Sequence, residues 1–106
     1  MTVADAPVVQ PVLLGGDFGV YALARSFHEA YGATSIVLSH APTVAISRSV
    51  FCRVEPIVAH ASDEELLATL GKLADTYADR ALVLVANHDL HSEFVARHWD
   101  AMSQSY

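Results

Sequence analysis

The sequence predicts a three-layer α/β domain built on a mostly parallel sheet of about four strands. Three observations carry that expectation. Val12 to Leu38 reads as strand, glycine turn, helix and strand; Ser62 to Tyr77 reads as a capped amphipathic helix; and Ala81 to Ala86 is a wholly apolar run behind it.

Residues 1–11 carry two prolines, Pro7 and Pro11, and no clear period, so they are expected to form a flexible lead-in to a domain spanning 12–106. Val12-Leu13-Leu14 then runs into Gly15-Gly16, the pattern of a buried strand stopped by a turn. After Gly19, the spacing of Val20, Leu23, Ala24, Phe27 and Tyr31 lays one apolar stripe along a helix. Gly32 stands where a left-handed cap belongs, and Ser35-Ile36-Val37-Leu38 supplies the second strand.

His40-Ala41-Pro42-Thr43 signals a loop, and Val44 to Cys52 fits a short helix or an irregular connection. Val54 to Val58 reads as a third strand that Pro56 confines to an edge or a ladder end. Ser62, with Glu65 three residues on, forms a capping box, and Asp63 and Glu64 suit the positive end of the helix dipole. Leu66, Leu67, Leu70, Leu73, Ala74 and Tyr77 follow as its buried stripe. Ala81 to Ala86 is apolar on both faces, as a central strand is, and Phe94, Val95, His98, Trp99 and Met102 continue as a last amphipathic helix.

Hydrophobic residues make up 53% of the 106 and charged ones 17%, which is core-forming material for one domain. The net charge is −6. Arg25, Arg48, Arg53, Lys72, Arg80 and Arg97 are scattered, so no cation cluster is offered to nucleic acid or to an anionic membrane. Cys52 is the single cysteine, which precludes an intrachain disulfide and fits a cytoplasmic setting. Met1 to Pro11 lacks the basic start and apolar stretch of a signal peptide.

Glycines after the first strand of such a Rossmann-like unit let a phosphate approach the backbone and the helix N-terminus. Gly16 and Gly19 fit the second and third positions of G-x-G-x-x-G, but Leu14 occupies the first. Ser39-His40 stands where a ribose-binding acid belongs, so tight turning and close packing are the leading roles for these glycines. No P-loop lysine motif exists.

His88-Asp89-Leu90-His91 is the tightest group of the six histidines, yet a pair at i and i+3 supplies only two good zinc ligands, so a solvated loop is expected. Cys52 lacks a local activating base and reads as an inert thiol. Asp63-Glu64-Glu65 is explained by the capping box, and Trp99 with Phe94 reads as core or interdomain contact. No catalytic or metal-binding residue is assigned.

The stretch Val12 to Gly32, VLLGGDFGVYALARSFHEAYG, with its Ala24-Arg25-Ser26-Phe27 segment, resembles the N-terminal preATP-grasp domain of ATP-grasp carboxylate–amine ligases. The likeness is closest to the D-aspartate ligase and carbamoyl-phosphate-synthase-like group. It continues through Ser47-Arg48-Ser49-Val50, the strand Leu82 to Ala86, and Asp89, Phe94 and Arg97, covering residues 12–102. The loop Asn87 to His91 departs from the family pattern.

The resemblance implies ligation of a carboxylate to an amine through an acyl phosphate, with ATP and magnesium held by C-terminal ATP-grasp domains of the same polypeptide. This chain would then be inactive alone. Gly15, Gly16, Asp17, Phe18 and Gly19, with Arg25 or Arg48, would meet the small-molecule substrate at the rim of its cleft. A complete nucleotide- or dinucleotide-binding regulatory module is the alternative, and an interaction domain presenting the Trp99 helix, or a homodimer, is a third.

Overall fold

The computed structural model describes residues 8–106. Its elements are β1 (Val9–Leu14), α1 (Phe18–Tyr31), β2 (Ser35–Ser39), α2 (Val44–Ser47), β3 (Cys52–Pro56), α3 (Asp63–Thr76), β4 (Ala81–Ala86), α4 (Asp89–Arg97) and α5 (Trp99–Met102). All three strand pairings are parallel, in the order β3-β2-β1-β4.

From β1 to β3 the chain steps one way across the sheet, and from β3 it returns past β1 to place β4 on the far side. Because parallel crossovers are right-handed, that reversal sends α3 to the face opposite α1 and α2. The buried side chains follow the strand alternation. Leu13 and Val37 pack with Val20, Ala24 and Ile46 on one face, while Val12, Leu14, Ile36 and Leu38 pack with Leu66, Leu70, Leu73, Phe94 and Met102 on the other. The three layers predicted from the sequence are present.

Helix ends form for local reasons. Asp17 Oδ1 accepts from the Val20 N–H at 2.9 Å and caps α1, and Gly32 at φ 65° closes it with its N–H on the His28 carbonyl. The capping box of α3 is complete: Ser62 Oγ accepts from the Glu65 N–H at 3.1 Å, and Glu65 Oε1 accepts from the Ser62 N–H at 3.2 Å. No helix among the described residues is long and apolar enough to cross a membrane.

Several expectations are corrected. The first strand opens at Val9 rather than Val12, so Val9, Gln10 and Pro11 leave the lead-in and join the sheet; residues 1–7 of that lead-in lie outside the described residues. Pro11 is tolerated inside this central strand. The Ala81 N–H bonds the Val8 carbonyl, and strand alternation then turns Pro11 toward β2, whose pairing begins only at Val12. The missing N–H therefore breaks no ladder bond.

The third strand lies earlier than Val54 to Val58 and sits at an edge, with Pro56 at its end. β4 is not central: among the described residues it is the opposite edge, and all six of its residues are half-buried. The last helix breaks at His98 into α4 and α5. Tyr31 and Trp99, placed by spacing on apolar stripes, are 63% and 57% exposed.

Candidate functional site

In a parallel sheet every strand ends at the same edge, and here that edge gathers the loops after Leu14, Ser39, Pro56 and Ala86. The connection reverses between β1 and β4, the place where open α/β sheets form a crevice.

The β1 loop is built by close packing. Gly15 stands at φ 120°, a conformation suited to glycine, and donates its N–H to the Leu38 carbonyl at 3.0 Å. A Cβ on Gly16 would overlap Ser39 Oγ and come within 2.9 Å of the Ala41 carbonyl oxygen and Pro42 Cα. Thr43 donates its N–H to the Gly16 carbonyl at 2.9 Å. A Cβ on Gly19 would overlap the Asn87 amide. Gly16 and Gly19 thus let the loops of β2 and β4 approach the loop of β1.

Gly15, Gly16 and Asp17 line a cleft of about 240 Å³ with Leu38, Ser39, His40, His88 and His91. Through His40, Ile57, His88 and His91 it continues into a larger cleft of about 430 Å³ that reaches Asp63, Glu93, Phe94 and Arg97. Phe18, Gly19, Arg25 and Arg48 line neither cleft. Phe18 is 73% exposed; Arg25 pairs with Glu29 at 2.9 Å on the outer face of α1; and Arg48 is exposed at the end of α2.

The histidines converge where the sequence reading placed a solvated loop. His88 caps α4, its Nδ1 accepting from the Leu90 N–H at 3.2 Å, so a neutral ring carries its proton on Nε2. The His91 ring meets the His88 ring edge-on, 5.9 Å between centroids. Burial, reinforced by the like charge of His88 and His40, holds His91 below the ordinary histidine range, against the pull of the Asp17 carboxylate and the Leu14 carbonyl. His91 Nδ1 is buried and makes no hydrogen bond of good geometry among the described residues. Three histidines in the loop after β2 and at the start of α4 were the available signal, since both segments follow carboxyl ends of strands.

At the far wall, Asp63 accepts from Arg97 at 3.1 Å and contacts His98 Nε2 at 2.7 Å. The His98 hydrogen bond is the main cause that holds its carboxyl below the usual range, with Arg97 adding to it. Asp63 and Arg97 line that end of the cleft, with His98 behind them on Asp63. Cys52 is half-buried, and desolvation pushes its thiol up, which suits an inert thiol.

The fit to ATP and magnesium is poor in this chain. Among the described residues no three His, Cys, Asp or Glu side chains are grouped to share a metal, and the single lysine, Lys72, lies on α3 outside both clefts. No phosphate or metal step is assigned to these residues.

No family model and no solved structure matches the chain. The chain is 31% identical over 99 residues to the D-aspartate ligase of Enterococcus faecium (strain Aus0004), an alignment covering 91% of this chain and 24% of that protein. The similarity is distant, and the chain spans about a quarter of that ligase's length.

Proposed function

We propose that the chain is the N-terminal domain of an ATP-dependent ligase that joins a carboxylate to an amine through an acyl phosphate, and that it supplies the rim of the substrate cleft. The observation that carries this reading is the similarity to D-aspartate ligase over 91% of the chain. In this reading ATP and magnesium bind to C-terminal ATP-grasp domains, because the crevice here offers Arg97 already paired with Asp63, and no three metal-ligating side chains are grouped among the described residues.

The crevice residues bind and orient. His88, with Nδ1 committed to the Leu90 N–H, turns a donor Nε2–H to a ligand carboxylate. The Asp17 carboxylate draws the amine side of the substrate, and neutral His91 walls the site without adding a charge. Phe18 and Gly19 shape the same loop, whereas Arg25 and Arg48 would meet an anion only on the outer surface of the assembled ligase.

The test is a chimera in which residues 8–106 replace the matching segment of the E. faecium enzyme. Phosphate release from ATP that depends on D-aspartate is expected from the chimera and not from the chain alone. A folded but inactive chimera, together with saturable magnesium-ATP or adenine dinucleotide binding by the chain alone, would overturn the proposal in favour of a complete nucleotide-binding module.

A further inference from the structure

His88 and His91 each commit one ring nitrogen to the backbone, and the two commitments are opposite in sense. His88 Nδ1 accepts from the Leu90 N–H, which leaves a donor at Nε2. His91 Nδ1 is buried beside the Leu14 carbonyl, where a lone pair would face another lone pair. In the neutral His91 ring Nδ1 therefore carries the proton and Nε2 the lone pair. Because His91 lines both clefts, that lone pair is what a ligand meets.

We infer that His91 is a specificity-determining residue of the crevice: its neutral Nε2, together with the Asp17 carboxylate, accepts the N–H groups of a ligand ammonium, and protonation of the ring turns that ammonium away. The inference deepens the substrate-rim reading and rests on it.

Asp17 has capacity for this role. Its Oδ1 accepts from the Val20 N–H and from Asn87, whereas Oδ2 has only a 3.4 Å contact with Asn87. The groups that face His91 are Asp17 from the loop after β1, His40 from the loop after β2 and His88 from its own segment, while the loop after β3 brings uncharged Ile57. His60, Asp63, Glu93 and Arg97 line the adjoining cleft. Burial first, then the like charge of His88 and His40, favours the neutral ring. A bound cation favours it further, whereas an anion at the same nitrogen would favour the imidazolium, so the sign of the coupling between ligand and proton identifies the ligand class.

The test is an NMR titration of the His91 imidazole in the whole chain, with methylammonium as the probe and tetramethylammonium, a cation without N–H groups, as its control. Methylammonium should lower the His91 pKa, because it binds the neutral ring about tenfold tighter than the imidazolium. Tetramethylammonium should leave it in place. His91→Gln keeps an acceptor that does not titrate, so that variant should still bind methylammonium, and its loss of binding on acidification should shrink to the part that His40 and His88 supply. Asp17→Asn keeps a capping side chain and should weaken binding wherever Asp17 is ionised. A His91 pKa that methylammonium leaves unchanged or raises overturns the inference, and so does an equal fall with tetramethylammonium, which would make charge alone the cause. No ATP-grasp domain enters this measurement, so an inactive chimera counts against the ligase reading alone, and a failed titration counts against the amine role of His91 alone.

Discussion

Asn87 donates through Nδ2 to Asp17 Oδ1 at 3.2 Å, joining the loop after β4 to the N-terminus of α1 across the mouth of the crevice. The same Asp17 oxygen accepts from the Val20 N–H, so one carboxylate both starts a helix and fixes the distance between two loops. Gly19 makes the contact possible, since any side chain there would take the space of the Asn87 amide.

Asp17→Ala is expected to cost about 1 kcal/mol from the lost cap, plus a smaller amount for the Asn87 contact, measured as a lowered urea midpoint. Asn87→Ala should cost less, because the cap survives. If the two side chains act together, the double variant will be less destabilised than the sum of the singles.

Gly16 and Gly32 separate crowding from backbone strain. Gly16→Ala drives a methyl into Ser39 Oγ and the Ala41-Pro42 backbone and should cost about 1–3 kcal/mol. Gly32→Ala meets nothing within 4 Å and pays only for its φ of 65°, about 1 kcal/mol. Ser39→Gly should recover part of the first loss and none of the second, as read from thermal denaturation.

The sequence makes the layers legible because they depend on local periods and caps: Ser62 with Glu65, Gly32, and the stripe Leu66, Leu70, Leu73 each act within a few residues. The edge position of β4 is not local. Its apolar run reads as central, and only the pairing order shows that nothing among the described residues flanks it. The site divides in the same way: Gly15, Gly16 and Asp17 are marked by their turn, whereas His40, His88 and His91 meet only because β2 and β4 end at the same edge on either side of β1.

The Asp63 cluster sets an acid limit. Its folded-state pKa lies below the unfolded value, chiefly through His98, so the stabilisation is complete above the ordinary aspartate value of about 3.9. It is lost as pH falls through the lowered value. Asp63→Asn should shrink that part of the acid unfolding profile, and His98→Gln should shrink it more than Arg97→Gln does, following the order of the causes.

His91 acts in a higher pH window with the same sign. Its folded pKa is depressed by burial and by His88 and His40, so well above the ordinary histidine value it is uncharged in both folded and unfolded chains and contributes no pH dependence. As pH falls through the unfolded value of about 6.5, the unfolded chain takes up the proton first and stability declines until the folded pKa is passed. The slope of unfolding free energy against pH should therefore be positive in that interval. His91→Gln should flatten it while leaving the Asp63 window in place. Because His88 and His40 repel the same ring, replacing either with Gln should raise the His91 pKa and move the interval's lower boundary upward, a shift that NMR titration of the His91 imidazole reads directly. A His91 that titrates unchanged in both variants would mean that burial alone sets its value.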